Sequence, residues 1–215
     1  MPQLTLIIGS KNYSSWSLRP YLALAHTGQP FQEVVVQLAQ PDTDETIARY
    51  SPSRRVPVLQ HGDLTVWDSL AICEYLAETF PEAQLWPEDK AARAVARAVT
   101  AEMHSSFAAL RQHMSMNLRA RKPGKGREPG VAEDIARIQA IWNDCRGRFG
   151  QGGPFLFGRF SIADAFYAPV VTRFVTYEVE LDAVSAAYRD AVLALPALQK
   201  WTEEGRQGPS IARYE

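Results

Sequence analysis

The hydrophobic period of this chain changes once, near residue 80. Before that point short apolar runs alternate with helical patterns, and after it no strand pattern returns. Residues 4–8, within "LTLIIG", read as a strand, and Leu18, Leu22 and Ala25 then recur at helical spacing until Gly28 closes the helix. "PFQEVVVQL" predicts a second strand and "PDTDETIARYS" a short polar helix. "RVPVLQ" and "LTVWD" predict two strands around the turn "HGD". A helix from Asp68 carries Ile72, Tyr75, Leu76 and Phe80 on one face, so the order is β-α-β-α-β-β-α.

A parallel βαβ unit followed by a hairpin and a closing helix makes a four-stranded sheet covered on both faces, the α/β thioredoxin-like arrangement, over residues 1–80. "PEAQLWPEDK" carries Pro and acid but no strand pattern, and residues 81–87 read as a linker. Residues 88–120 predict one extended or kinked helix, and the Pro and Gly of "RKPGKGREPG" impose a loop. Helices follow at 131–149, from Ser161 through "SIADAFYAPVVTRFV", and at 183–194 and 196–205. The second domain, 88–215, is therefore expected to be all-α. A length of 215 residues suits two modest domains.

A net charge of -1 removes any global pull toward nucleic acid or an anionic membrane, so neither is expected as a partner. The start "MPQLTLIIGSKNY" has no basic leader and too short an apolar run for a span, which points to the cytoplasm. Cys73 and Cys145 stand far apart, with no CxxC and no clustered histidines, so neither a disulfide framework nor a metal site is expected.

Three places can carry chemistry. Pro57, at a strand start, cannot donate to a ladder. It either protects a sheet edge or leaves the backbone of Val56 free to pair with a peptide-like ligand as an added strand. Asp68 and Ser69 open a helix: they cap it, or its free N–H groups hold a carboxylate while Asp68 meets an ammonium. "KNYSSWSLRP" places three serines between strand and helix. Pro20 is comfortable only in a first turn, so Ser17 is expected to be the cap, with Ser14 and Ser15 on the loop before it. "SIAD", by contrast, reads as a capping box and a folding element.

In their order and spacing, "SSWSLRPYLAL", "RVPVL", "WDSLAICEYLAETFP" and "FSIADAFYAPV" resemble a cytosolic glutathione S-transferase over nearly the whole chain. The serine stretch is similar to the zeta-class pattern S-S-C-S-x-R-x-x-x-A-L of glutathione-dependent maleylacetoacetate isomerases. Trp16 replaces the cysteine, and Thr176 stands where that class carries an arginine, Arg173 lying one turn earlier. The resemblance implies the two-domain fold above, a homodimer, glutathione as cosubstrate and a small hydrophobic or weakly anionic electrophile as acceptor.

It also implies roles. Ser14, with Ser15 close behind, donates to the glutathione thiolate; Trp16, Arg55, Val56, Pro57, Asp68 and Ser69 complete the tripeptide site. Arg19 is expected in a buried ion pair near the domain boundary. His104, Phe107 and Arg111 share a helical stripe with Met114 and are candidates for the acceptor site, while packing also explains Phe107 and Met114. The basic run "RARKPGKGR" is expected to be a solvated connection, with an electropositive entrance as the alternative. Conjugation of glutathione to electrophiles is the leading function; isomerisation or non-catalytic glutathione binding are the alternatives.

Overall fold

The computed structural model describes residues 2–215. Strands β1 (Leu4–Gly9), β2 (Phe31–Val36), β3 (Val58–His61) and β4 (Leu64–Val66) form one sheet in the order β2-β1-β3-β4. β1 runs parallel to β2 and antiparallel to β3, with Ile7 opposite both Val34 and Val58. The side chains of β1 alternate between two apolar clusters, as the two-residue strand period requires. Leu4, Leu6 and Ile8 join α1 (Ser15–His26) and α3 (Ser69–Thr79), whereas Ile7 packs with Val36, Val58 and Ile47 of α2 (Thr43–Ala48). Helices thus cover both faces, and the predicted element order holds.

No strand of the sheet lies beyond residue 66 among the described residues. α4 (Lys90–Ser105), α5 (Ala108–His113), α6 (Val131–Phe149), α7 (Ile162–Thr176), α8 (Ala183–Leu193) and α9 (Pro196–Gln207) follow. α7 is buried on nearly every side and packs against α1 and α4. The predicted capping box forms: Ser161 and Asp164 bond reciprocally, and Asp164 also accepts from Leu156 N and the Tyr188 hydroxyl.

Two sequence expectations are corrected. The 88–120 stretch is not one helix: α4 ends at Ser105, Phe107 takes a left-handed conformation (φ 61°), α5 ends at His113, and 114–130 are irregular. Burial explains the break, since Phe107 sinks into the core at the turn. The basic run is a solvated connection only in part: Arg121, Lys125 and Arg127 are exposed as expected, but its first residues are tied to the rest of the second half. Arg119 bonds Gly208 O, Arg121 bonds Val175 O, and Lys122 donates from its backbone to Thr176 O and from its side chain to Tyr214 O.

No helix is long and apolar enough to cross a membrane among the described residues.

Candidate active site

The first turn of α1 begins three residues earlier than its proline indicates. Ser14, not Ser17, is the cap: its hydroxyl accepts from Ser17 N at 3.4 Å and donates to Ser17 Oγ at 2.8 Å. Ser17 is fully buried, and Gly9 N at the end of β1 donates to its hydroxyl at 3.0 Å. Pro20 therefore sits in the second turn, where it cannot donate to the Trp16 carbonyl. A mid-helix proline costs about 3 kcal/mol. The burial of nine α1 residues outweighs that cost.

The cap assignment separates the two remaining serines. The single O–H of Ser14 is committed to Ser17, whereas no such bond engages the Ser15 hydroxyl among the described residues. Ser15 lies in the first helical position, 8% exposed, where the amide N–H groups of the turn are directed.

A cleft of about 750 Å³ opens beside this turn, lined by residues 38–41, 53–57 and 67–69, by Thr43, Asp44 and Ile47 of α2, and by Trp16 and Arg213. The Val56–Pro57 bond is cis, β3 begins only at Val58, and the Val56 backbone takes no hydrogen bond among the described residues. Asp68 caps α3 by accepting from Leu70 N at 2.8 Å. Its second oxygen lies 3.5 Å from His104 Nε2. The Ser69 hydroxyl is buried without a partner at the mouth of that helix. Arg55, Val56, Pro57, Asp68, Ser69 and Trp16 thus share one cleft, and Asp68 forms the cap of α3 at its edge.

Trp16, 38% exposed, connects the cleft to a cluster of cations. The Arg19 guanidinium lies 4.2 Å from the Trp16 ring and 4.7 Å from that of Phe166, and the Arg111 guanidinium lies 4.9 Å from Trp16. The His104 ring meets the Trp16 ring at its edge, 5.4 Å between centroids. The expected Arg19 ion pair is absent among the described residues. Arg19 is 1% exposed, packed between aromatic rings, and its Nε and Nη1 have no acceptor. Burial, then the charges of Arg111 and Arg173, hold its pKa well below the ordinary value. Arg173, one face further into α7, donates from Nε to Met114 O at 2.7 Å and leaves Nη1 unpartnered. Burial and the Arg111 charge lower its pKa to about 10. Arg111 bonds the carbonyls of Met103 and His104 and keeps an unpartnered Nε. His104 is held below its ordinary pKa, first by desolvation, which Asp68 opposes and the charges of Arg19 and Arg111 reinforce.

Phe107 does not belong to this group. The helix break removes the stripe, and its side chain is core, as is Met114. Cys73 and Cys145 are buried free thiols whose pKa values burial pushes up, so neither supplies a thiolate.

The glutathione S-transferase N-terminal domain matches residues 13–79, and the glutathione S-transferase C-terminal domain matches residues 128–204. The chain belongs to the glutathione S-transferase family. A probable maleylacetoacetate isomerase of Caenorhabditis elegans is 26% identical over 192 residues, 82% of this chain and 90% of its own length. Maleylacetoacetate isomerase of Rattus norvegicus is 28% identical over 193 residues, 86% and 87% of the two chains. Among solved structures, a glutathione transferase homolog from Burkholderia with bound glutathione superposes with a TM-score of 0.73 at 24% identity, over 96% of this chain and 100% of that one. As a transferase-family enzyme, the chain is similar to these isomerases over 82–86% of its length rather than through the serine stretch alone. Sequence reasoning missed Trp67, Arg54 and Arg213 in the cleft. Trp67 had a local signal, a large apolar side chain directly before a cap; Arg213 had none.

Proposed function

We propose that this transferase-family enzyme activates the thiol of glutathione at the N-terminus of α1 and directs it at a small electrophile carrying an anionic group. Lowering a thiol pKa by about two units takes about 2.7 kcal/mol of preferential stabilisation of the thiolate. One hydroxyl donor to a charged acceptor supplies ~1.5–3 kcal/mol, and the helix terminus adds to it. Ser15 is the donor this reading favours, because its hydroxyl is uncommitted; Ser14 holds the turn in place. The Val56 backbone pairs with the cysteinyl residue of the tripeptide. Asp68 meets the γ-glutamyl ammonium, and the Ser69 hydroxyl with the α3 terminus meets its carboxylate.

One observation carries the acceptor class: Arg19 and Arg173 are buried and Arg111 half-buried, the Arg111 charge lowers the pKa of both the others, and none of the three is in an ion pair with a carboxylate among the described residues. Unpaired buried charge is costly, and an anionic ligand relieves it. The same cluster supports a second reading, isomerisation of an unsaturated diacid. There the thiolate adds to the double bond, the adduct rotates about the resulting single bond, and the thiolate leaves again; in conjugation it stays.

Purified protein with glutathione is offered an aryl halide, an unsaturated diacid and a hydroperoxide. Turnover of the diacid is expected, with kcat/KM falling about tenfold in Arg111→Ala while aryl halide kinetics change less than twofold, a loss of one charged contact. Conserved total thiol with altered double-bond geometry identifies isomerisation. Unchanged diacid kinetics in Arg111→Ala would sink the anionic-acceptor reading, and tight glutathione binding without turnover of any probe makes the protein a binding module. A two-fold homodimer, read by light scattering, and a cytoplasmic location, read by cell fractionation, complete the proposal.

A further inference from the structure

After α9 the chain turns back across the molecule, and residues 211–215 are fastened to the thiol loop through one side chain. The Tyr13 hydroxyl accepts from Ile211 N at 3.0 Å and from Arg119 Nη2 at 2.7 Å, and donates to the Glu215 carboxylate at 2.5 Å. That bond holds the Glu215 carboxyl below its ordinary pKa. The Tyr13 ring stacks on Tyr214 with centroids 5.2 Å apart. Asn117 Nδ2 at 3.1 Å and Lys122 Nζ at 2.7 Å both donate to Tyr214 O, and Ile211 is buried. Tyr13 directly precedes Ser14, so the segment is tied to the residue that caps α1.

Between the fastened residues Ile211 and Tyr214 stands Arg213, and it alone of this segment lines the 750 Å³ cleft. Its guanidinium lies 4.7 Å from the Tyr214 ring, and it forms no ion pair among the described residues. The other cations of the cleft, Arg54 and Arg55, come from the loop before β3, on the first half of the chain.

We infer that Arg213 is a specificity-determining residue of the glutathione site: it pairs with the glycyl carboxylate, and the Tyr13 latch sets its position. The inference rests on the glutathione reading above. Glutathione carries two carboxylates and one ammonium. In that reading Asp68, Ser69 and the α3 terminus account for the γ-glutamyl ammonium and carboxylate at one end of the cleft. The glycyl carboxylate is left for the unpaired arginines, and Arg213 is the one delivered by the C-terminal half. A guanidinium suits this task, since its planar donors match a carboxylate.

The test compares glutathione with γ-glutamylcysteine, which lacks the glycyl residue, by calorimetric titration of the full chain. Arg213→Ala is expected to weaken glutathione binding about tenfold and γ-glutamylcysteine binding less than twofold, the loss of one charged hydrogen bond. Tyr13→Phe is expected to show the same selectivity at smaller amplitude, because it loosens the segment that positions the guanidinium without removing the guanidinium itself. Equal loss for both ligands, or no loss for either, overturns the assignment of Arg213, as does Arg55→Ala alone abolishing the discrimination. If the unaltered protein binds neither thiol, the glutathione reading itself has failed, which is a separate result.

Discussion

At the scale of single residues, the site turns on which hydroxyl is free. Ser14 and Ser15 are adjacent and similarly buried, yet one spends its proton inside the helix turn and the other does not. Ser15→Ala is expected to raise the pKa of bound glutathione by one to two units, about 1.4–2.7 kcal/mol, read from thiolate absorbance against pH. Ser14→Ala is expected to act first on stability, by about 1 kcal/mol, as loss of a cap does. The reverse pattern would return the donor role to Ser14. A second residue carries a titration of its own. Desolvation raises the Asp164 pKa from 3.8 to about 6 against four hydrogen bonds that lower it. The folded state thus holds this proton more tightly than the unfolded chain does. The associated stabilisation, on the order of 3 kcal/mol, is complete below about pH 4 and lost as pH rises through about 6. Urea denaturation of Asp164→Asn across that window should show a flatter dependence than the unaltered protein.

Elements show where local pattern and tertiary packing part company. The strands, the α7 capping box and the α6 helix were legible because period, cap residues and Gly or Pro punctuation agree there. The cap of α1 was not. Pro20 pointed to Ser17, but Ser17's hydroxyl is taken by Gly9 N across eight residues, a contact no local rule encodes. The α4–α5 break was hidden for the same reason, since residues 102–114 keep helical spacing and only the burial of Phe107 reveals the turn. Of the site, Trp16, Val56, Pro57, Asp68 and Ser69 could be read from short motifs. The arginine cluster could not, because its members come from α1, α5 and α7. Phe107→Ala is expected to cost about 3 kcal/mol in chemical denaturation, the usual range for truncating a buried aromatic, with acceptor KM unchanged. A large KM change without loss of stability would put Phe107 back in the site.

For the molecule as a whole, the two halves share one apolar core and are joined by polar contacts as well. Lys11, after β1, is nearly buried, pairs with both Glu33 of β2 and Glu204 of α9, and lies 5.2 Å from the rings of Tyr21 and Trp201. Trp201 Nε1 donates to Lys11 O at 2.9 Å, and Asn12 bonds Asn117 Oδ1 at 2.8 Å. Removing Lys11 leaves two carboxylates facing each other. Lys11→Ala should therefore destabilise by about 1–3 kcal/mol, the range for charged hydrogen bonds to part-exposed partners, and a calorimetric scan should show α9 and the sheet no longer melting together. Of the chain's five tryptophans, Trp142 and Trp201 are fully buried, whereas Trp16 and Trp67 stand on the rim of the cleft. Trp16 is also flanked by two guanidinium groups, so any ligand that draws Arg111 away changes the field across its indole. The cleft consequently carries its own optical gauge: an anionic acceptor should shift the emission of Trp16 in the unlabelled protein, and Trp16→Phe should silence that shift while the emission of Trp67 still reports the tripeptide.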